Sequence, residues 1–523
     1  MPLSTIIKKN CKVCGKVAVE SSRLDFGESK LITLECGHIT SEEVLSAANY
    51  DDLTVIGPNG QVISLMPFQK IGVQFAEKSN ARCLIADEQG LGKTVQAAAL
   101  VKLHFMSLAP ITVVTKTTIK VQWMWELMRW CGIKNIQVIM SGKEKALPGF
   151  DVVITSYDML KDENLYSMTV KPKTLILDEV QAIKNHLSGR AKAVQFYGKT
   201  AEHIIALSGT PIKNNAGEYF TILNLLQPSR FPEYNRYLRD YTDYYETFYG
   251  SKVGGLKDVE SFKAATADFI IRRTQEEVLP DLFALKQPRK FHHVELNKKL
   301  TKAYESAQAE LEALMYADED ENTTTASIAI MTKMRQIAGI SKVTECSDYV
   351  AEHIISTGRK IVVFCHHHNV VNLLEAEINS WLSDGGFNPA VIYRAGDDRQ
   401  SKIKSFSDSN TPVMILSTLA SGEGLDGLQH LCSDMIMLER QWNPANEEQT
   451  EGRLARIGQT KPVNFIYMIV SGTIDEYFTE LVEQKRSIVA GTLDGKTVQW
   501  NESGLMKELA MILATSGKKK WSL

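Results

Sequence analysis

The chain has 523 residues, more than one hydrophobic core usually serves, so we expect at least two domains. Its composition, 44% hydrophobic and 23% charged, is typical of a globular protein. No apolar run approaches the roughly 18 residues that cross a bilayer, so no membrane partner is expected. The lack of a signal-peptide core and the eight scattered cysteines favour a reducing cytoplasm over a secreted disulfide scaffold. A net charge of −3 does not exclude nucleic acid, because binding depends on where individual Lys and Arg residues lie.

Residues 1–45 stand apart because they carry a short pattern of cysteine and histidine. Cys11 and Cys14 lie on one predicted turn, and Cys36 and His38 lie on a second. Two ligand pairs on two tight turns fit the tetrahedral coordination of a structural Zn²⁺ ion. The sequence therefore predicts a small zinc-binding module over residues 1–45. The alternative is a pair of solvent-facing turns with incidental thiols.

From residue 65 onward, apolar segments of strand length alternate with helical segments in two series. Near-continuous apolar strands are typical of parallel sheets that are buried on both faces. The sequence therefore predicts an α/β fold with two lobes, each built on a parallel sheet. The predicted strands of the first lobe are 83–86, 111–114, 151–154, 175–177 and 204–207, and those of the second are 360–364, 389–392, 413–416, 435–438 and 463–469.

The first lobe contains the glycine-rich segment ADEQGLGKT, residues 86–94, between a predicted strand and a predicted helix. Gly90 and Gly92 allow backbone N–H groups to approach phosphate oxygens at the N-terminus of that helix. Lys93 is placed to reach the β- and γ-phosphates, and the Thr94 hydroxyl to ligate Mg²⁺. Asp87 stands where the generic phosphate-binding pattern has a glycine. The alternative is a glycine turn that only opens a helix.

Asp178 and Glu179 end an apolar Leu-Ile-Leu segment, where two acidic side chains would not contribute to a hydrophobic core. In a nucleotide site, Asp178 would hold magnesium, mostly through water, and Glu179 would polarise the attacking water. The alternative is a pair of acids that only forms a turn. Far downstream, Arg453 and Arg456 lie one helical turn apart and can face the same way. A phosphate cradle, an acidic pair and distant arginines are what nucleoside-triphosphate hydrolysis needs, so we expect a site assembled between the lobes.

The stretch between the two series, residues 212–345, looks mainly helical and irregular. Its aromatic-rich part, residues 219–249, predicts helix-packing core, with a base-stacking surface as the alternative. In the second lobe, His366, His367 and His368 follow a predicted strand. Three consecutive imidazoles cannot all face one ion in an extended chain, so they predict a loop rather than a metal site.

The order of the motifs resembles the Swi/Snf-like branch of helicase superfamily two, in a compact bacterial or phage form. The motifs are ADEQGLGKT, LILDEVQAIKN (175–185), ALSGTP (206–211), STLASGEGLDGLQ (417–429) and WNPANEEQTEGRLARIGQT (442–460). FIIRRTQEEVLPDL, residues 269–282, is similar to the family's segment between the lobes. Two positions depart from the family pattern. Gln181 replaces a histidine, which puts the usual coupling to ALSGTP in doubt, and Asp426 replaces an asparagine.

The resemblance covers residues 65–476 and implies RecA-like lobes in a DNA-stimulated ATPase that moves along duplex DNA. The implied domains are a helicase ATP-binding lobe with a helical protrusion over 50–285, a helical linker and protrusion over 286–345, a helicase C-terminal lobe over 346–500, and a C-terminal helix with a basic tail over 501–523.

The resemblance also implies roles for residues around ATP. Gln69 would recognise adenine, and Arg453 and Arg456 would contact ATP when the lobes close, with Arg456 as the arginine finger. The alternatives are a surface glutamine and a solvated basic helix face. The predicted ATP-binding residues are the upstream Gln69 and, within the motifs, Asp87, Glu88, Gln89, Gly90, Leu91, Gly92, Lys93, Thr94, Gly424, Asp426, Arg453 and Arg456.

Polar residues that follow the predicted strands resemble the family's contacts to the DNA backbone, a role that needs no base reading. They are Lys116, Thr155, Tyr157, Lys184, Asn185, Ser417 and Thr418. The sequence thus predicts an ATP- and Mg²⁺-dependent motor on double-stranded DNA, with structural Zn²⁺, in the cytoplasm of a bacterium or phage-infected host. Such a motor would remodel DNA or displace bound proteins. One alternative is a strand-separating or annealing helicase. Another is a nucleotide-switched binding protein that acts on a protein partner such as RNA polymerase.

Overall fold

The computed structural model describes residues 8–10, 17–26, 29–34, 39–43, 50, 53–56, 62–161, 171–211, 216–247, 250–315, 321–394, 396–418, 427–441 and 444–494. The chain divides into two compact units, Met1–Met66 and Pro67–Leu523. Several predictions fall outside the described residues: the zinc ligands Cys11, Cys14, Cys36 and His38, the ATP-site residues Gly424 and Asp426, and the tail over 501–523. These stay predictions.

The first unit is built from antiparallel strands. A four-stranded sheet runs in chain order through β1 (Lys8–Asn10), β2 (Val17–Phe26), β3 (Ser29–Leu34) and β4 (Ile39–Glu43). A second pair consists of β5 (Thr54–Ile56) and β6 (Val62–Ser64). The sequence indicated turns with candidate ligands in this part of the chain, and it did not predict the sheet.

The first lobe of the second unit is a parallel sheet with helices around it. Its strands are β7 (Arg82–Ile85), β8 (Ile111–Thr115), β9 (Ile136–Val138), β10 (Val152–Ser156), β11 (Thr174–Asp178) and β12 (His203–Leu207); a hairpin of β13 (Thr242–Thr247) and β14 (Gly250–Leu256) precedes β15 (Ile270–Ile271). The described sheet has the order β15-β7-β12-β11-β8-β10-β9, and every pairing is parallel. Strands β8, β10 and β11 are buried at every position, as the continuous apolar pattern predicts.

Helices cover this sheet and connect its strands. They are Pro67–Lys78, Lys93–Leu108, Lys120–Cys131, Tyr157–Leu160, Gly189–Gly198, Phe220–Leu226, Tyr234–Tyr241, Val259–Thr266, Gln275–Val278 and Pro280–Ala284, with 3-10 turns at Thr117–Ile119, Val180–Ile183 and Ala216–Tyr219. The aromatic-rich stretch packs as core, which confirms that part of the prediction: Phe231 and Tyr237 are both buried, with their rings 6.3 Å apart. The described part of residues 212–345 is mainly helical, as predicted, and the hairpin β13–β14 within it was not expected.

The second lobe is built on another parallel sheet, and three long helices follow its first strand in the chain. The helices are Lys298–Met315, Glu321–Ser341 and Val343–Thr357. The strands are β16 (Lys290–Val294), β17 (Ile361–Cys365), β18 (Val391–Tyr393), β19 (Val413–Ser417), β20 (Asp434–Met437) and β21 (Asn464–Val470), and the remaining helices are His368–Asp384, Arg399–Ser407, Leu428–Leu431, Pro444–Glu451 and Ile474–Asp494. The described sheet order is β16-β21-β20-β17-β19-β18, with all pairings parallel.

The two parallel sheets confirm the predicted α/β fold class, and all ten predicted strands are present. Because parallel strands point the same way, the loops after β7, β11 and β12 share one edge of the first sheet. These loops carry the glycine-rich segment, the acidic pair and ALSGTP. None of the described helices is both long and apolar enough to cross a membrane.

Candidate active site

The glycine-rich loop runs from the end of β7 into the helix Lys93–Leu108. Gly92 precedes that helix with φ 74°, a left-handed conformation that favours glycine. A Cβ atom at Gly92 would lie 2.5 Å from the Gln69 amide nitrogen, so the close approach also requires glycine. No side chain caps this helix, which leaves its first N–H groups for an anion. The loop therefore has the form of a phosphate cradle.

Lys93 lies across this loop. Its Nζ donates hydrogen bonds to the Asp87 and Glu88 carbonyl oxygens, at 2.8 and 3.2 Å. A Cβ atom at Gly209 of ALSGTP would lie 3.3 Å from the same Nζ, so the amine sits between two motifs. Burial lowers the pKa of Lys93, while the carboxylates of Glu179, Asp87 and Asp178 raise it. An anionic phosphate at this position would favour the charged amine further.

Gln69 lies on the helix Pro67–Lys78 and is buried, so it is not the surface glutamine of the alternative interpretation. Its Nε2 donates to the Leu91 carbonyl oxygen at 3.2 Å. The structure therefore brings Gln69 to the glycine-rich loop, as its predicted place beside the nucleotide requires.

Asp87 was predicted to bind ATP, and the structure gives its carboxylate a different partner. Arg273 donates to both carboxylate oxygens, at 2.9 and 2.5 Å, and Gln96 donates to Oδ2 at 2.9 Å. Asp87 is fully buried and its carboxylate is held in this network, so a contact of Asp87 with ATP stays a prediction. Because Arg273 lies 186 positions away in the chain, the glycine-rich motif alone did not reveal the pair.

The acidic pair lies at the end of the central strand β11. Asp178 accepts hydrogen bonds at Oδ2 from Trp123 Nε1 at 2.8 Å and from Thr115 Oγ1 at 3.0 Å. Burial and, second, the charge of Glu179 together raise the pKa of Asp178 to about 6, although the hydrogen bonds from Trp123 and Thr115 act to lower it. Glu179 adopts a left-handed conformation, with φ 53°, which costs a non-glycine residue on the order of 1–3 kcal/mol. Strain of this kind is typical of functional sites, because the surrounding structure must hold it in place.

A chain of hydrogen bonds connects Glu179 to the ALSGTP turn. Gln181 Nε2 donates to Glu179 Oε2, and Gln181 Oε1 accepts from the Ser208 hydroxyl at 2.6 Å. Ser208 Oγ in turn accepts from the Thr210 backbone N–H at 3.1 Å. Gln181, which replaces the histidine of the family pattern, thus connects the acidic pair to the ALSGTP turn. It can do so because a side-chain amide donates and accepts hydrogen bonds at once.

The arginine segment of the second lobe lies against the glycine-rich loop. A Cβ atom at Gly90 would lie 3.5 Å from Arg456 Cβ, and one at Gly452 would lie 4.0 Å from Gln89 Cβ. Arg453 and Arg456 are both half-buried. The segment that carries the two arginines and the glycine-rich loop, more than 300 positions apart in the chain, therefore contact each other between the lobes.

Buried ion pairs support the helix Pro444–Glu451, which leads into this arginine segment. Arg440 donates to both carboxylate oxygens of Glu447 at 3.0 and 2.7 Å, and Arg289 does so to Glu451 at 2.6 and 2.7 Å. The Tyr467 hydroxyl donates to the same Glu451 at 2.6 Å. Bidentate pairs of this kind fix geometry, so the arginine segment begins from a rigid support.

A second, polar cleft of about 650 Å³ begins beside Glu179 and Gln181. It is lined by four residues of the predicted DNA set, Lys116, Tyr157, Lys184 and Asn185. Part of its positive charge is already paired, since Lys184 lies 2.7 Å from Glu218. The cleft places basic and amide groups next to the acidic pair, on the same edge of the sheet.

Four of the predicted DNA contacts have side chains that are largely buried: Thr155, Tyr157, Ser417 and Thr418. The Tyr157 hydroxyl donates to the Asp178 carbonyl oxygen at 2.8 Å, and Thr418 Oγ1 accepts from Gln441 Nε2 at 2.9 Å. Tyr157 thus supports the strand end that carries the acidic pair. Direct contact of these four residues with DNA stays a prediction.

Comparisons with known proteins agree with this arrangement. Residues 68–342, just over half of the chain, match the SNF2-related domain, and residues 342–458 match the helicase conserved C-terminal domain. A mouse relative, "DNA annealing helicase and endonuclease ZRANB3", is 28% identical over 471 residues, covering 86% of this chain and 43% of the relative. From Xenopus laevis, "SWI/SNF-related matrix-associated actin-dependent regulator of chromatin subfamily A-like protein 1" is 28% identical over 478 residues, covering 88% of this chain and 47% of the relative.

Among solved structures, the "Sulfolobus solfataricus SWI2/SNF2 ATPase core in complex with dsDNA" is 21% identical, with a TM-score of 0.38, and the alignment covers 85% of this chain and 95% of that one. The chain spans less than half the length of the mouse and Xenopus relatives. Its motif series, its two parallel-sheet lobes and the two domain matches lead to one conclusion. The chain belongs to the SNF2-related family of ATP hydrolases in helicase superfamily two.

Proposed function

We propose that this chain is a motor that hydrolyses ATP on double-stranded DNA and thereby remodels DNA or displaces bound proteins. The observation that supports this most is the cleft between the lobes, where Arg456 packs against the glycine-rich loop at Gly90. A site divided between two lobes opens and closes with the nucleotide, which converts hydrolysis into relative movement of the lobes. The polar cleft beside Glu179 provides a path for the DNA backbone.

In this proposal, residues of the first lobe bind ATP and its magnesium. Lys93 contacts the β- and γ-phosphates, and Gln69 recognises adenine. Thr94 and Asp178 hold the Mg²⁺ ion, which neutralises phosphate charge. The carboxylate fits such an ion, because in the part of the chain that the structure describes both side-chain hydrogen bonds to the Asp178 carboxylate fall on Oδ2 and leave Oδ1 for magnesium or its water.

Glu179 then orients and polarises the attacking water. The Gln181 side chain donates to the Glu179 carboxylate and accepts from Ser208. One amide therefore couples the position of the attacking water to the ALSGTP turn. Arg456 stabilises the charge that develops on the transferred phosphoryl group, and Arg453, three positions earlier in the turns that follow the helix Pro444–Glu451, supports it. Arginine suits this role because its charge is permanent and its N–H groups match phosphate oxygens.

The DNA part of the proposal rests on Lys116, Lys184 and Asn185, which line the polar cleft. Lysines and amides hold a phosphate backbone without reading bases. The mouse relative's name, DNA annealing helicase, is in keeping with a nucleic-acid substrate for this chain.

Steady-state ATP hydrolysis with duplex DNA, single-stranded DNA and no DNA tests the function. Duplex DNA should raise the rate several-fold or more, and this stimulation should weaken steeply with salt through counterion release. Stimulation by RNA alone would reject the proposal.

A second candidate is an annealing or strand-separating helicase, which the name of the mouse relative favours. Annealing and unwinding of labelled oligonucleotides with ATP would distinguish these activities from translocation alone. A third candidate is a nucleotide-switched protein that acts on a protein partner such as RNA polymerase. Equal hydrolysis with and without nucleic acid would favour that candidate.

We also propose that residues 1–45 bind one structural Zn²⁺ ion through Cys11, Cys14, Cys36 and His38. Their type and spacing support the proposal. Elemental analysis should find close to one zinc per chain, and the zinc should be lost when Cys11 and Cys14 are replaced by serine. A fully folded chain without metal would contradict it.

A further inference from the structure

Gln275 is a buried glutamine that touches both lobes at the ATP cleft. Its Nε2 donates to the Gln89 carbonyl oxygen of the glycine-rich loop at 2.7 Å. The same nitrogen lies 3.4 Å from the Ala455 carbonyl oxygen, between the two arginines of the second lobe. One side-chain amide thus connects the phosphate loop to the arginine segment.

The backbone holds Gln275 in place without help from its side chain. The Gln275 N–H donates to Glu88 Oε2 at 2.6 Å, and Glu88 N–H donates to the Arg273 carbonyl oxygen at 2.8 Å. Thr274 and Glu277 form a reciprocal capping box at the start of the short helix Gln275–Val278. A substitution of the side chain should therefore change the contacts of the amide and leave the segment docked.

The other end of the amide is an unused acceptor. Gln275 Oε1 is buried and has no hydrogen-bond partner among the residues that the structure describes. Gln275 Nε2 and Arg456 Cβ lie on the same side of Gly90, since a Cβ atom there would be 2.9 and 3.5 Å from them. A buried acceptor without a donor is costly, and an arginine carries five N–H donors.

We propose that Gln275 is a positioning residue for Arg456. Its Nε2 tethers the arginine segment to the glycine-rich loop, and its Oε1 accepts a hydrogen bond from the Arg456 guanidinium as the lobes close on ATP. The amide then sets where the arginine finger points. This inference rests on the proposed ATP hydrolysis between the lobes.

The test uses Gln275→Leu in the full chain, with duplex DNA present. Leucine has a similar size to glutamine but lacks the amide donor and acceptor. The DNA-stimulated turnover number should fall roughly 10- to 100-fold, as for a small misplacement of a catalytic group, while ATP affinity stays within about threefold. The matched control is Glu276→Ala, an exposed neighbour on the same helical turn, which should retain the wild-type rate. If the leucine variant does not fold, Gln275→Asn keeps the amide but shortens its reach, and its turnover should fall in the same direction.

A double mutant separates positioning from a structural role. If Gln275 acts through Arg456, Gln275→Leu combined with Arg456→Ala should hydrolyse ATP no more slowly than Arg456→Ala alone. The inference would be overturned if the losses of turnover of the two single variants multiplied in the double mutant. It would also be overturned if Gln275→Leu raised the KM for ATP with unchanged turnover, or kept the wild-type turnover. A wild-type chain that hydrolyses no ATP would instead reject the proposed function itself.

Discussion

We expect Arg273 to contribute unusually strongly to the free energy of unfolding of the first lobe. Its guanidinium donates to both oxygens of the fully buried Asp87, to Gln96 Oε1 at 3.1 Å and to the Phe68 carbonyl oxygen. It also lies 5.5 Å from the centre of the Phe68 ring. Among the described residues, Arg273→Ala would leave the buried Asp87 carboxylate with the Gln96 amide as its side-chain hydrogen-bond donor and with the Lys93 charge nearby.

Removing one partner of a buried ion pair costs about 3–5 kcal/mol, because the remaining charge has no compensation. For a lobe of this size, each kcal/mol lowers the midpoint of thermal unfolding by roughly 2–4 °C. The unfolding transition of the first lobe in Arg273→Ala should therefore fall by roughly 6–20 °C, as differential scanning calorimetry of the full chain would measure.

The matched control is the exposed bidentate pair of Arg230 and Asp268, whose side chains are 40% and 57% exposed. Solvent screens such a pair, and its contribution is about 0–1 kcal/mol, so Arg230→Ala should move the midpoint by only a few degrees. Equal shifts in the two variants would refute the argument from burial. In the double variant Arg273→Ala with Asp87→Ala, part of the lost stability should return, because no unpaired charge remains.

Three further predictions concern catalysis and DNA binding. Lys93→Ala removes the principal charge on the phosphates, so nucleotide-binding measurements should show weak ATP binding and hydrolysis should fail; tight binding would exclude Lys93 from the phosphate site. Glu179→Gln keeps the shape of the site but loses the base, so ATP should still bind while turnover falls by roughly 10²–10⁴; an unchanged rate would assign water activation elsewhere. Lys116→Ala should weaken duplex binding about equally for all sequences and reduce the slope of log affinity against log salt by about one; an unchanged slope would remove Lys116 from the DNA path.

The parallel sheets were predictable because their signal is local. Strands such as β8 and β11 are mostly apolar, with three apolar residues out of five, and the structure buries every position. The short edge strands β9 and β15 were missed because two or three residues carry no recognisable period. The hairpin β13–β14 was missed because its many tyrosines also fit the packing of helices.

The site could be predicted where a motif is contiguous and only in part where it depends on distant partners. The glycine-rich loop and the acidic pair were located correctly on strand ends. The role of Asp87 was not recognised, because its partner Arg273 comes from a segment that the sequence tied only to the region between the lobes. Gln275 gave no signal at all, since a glutamine before two glutamates looks like an ordinary helix start. The roles of such residues follow from their burial and their hydrogen-bond partners, which only the folded structure determines.

In the proposed function the second lobe completes the catalytic site, and Arg456→Ala tests this most directly. Arg456 packs against the glycine-rich loop at Gly90 but lies outside the predicted phosphate cradle. ATP affinity, measured beside steady-state hydrolysis with duplex DNA, should change little, while turnover falls by about 10³ or more, as for a missing arginine finger. Hydrolysis by Arg456→Ala at the wild-type, DNA-stimulated rate would contradict a site shared between the lobes.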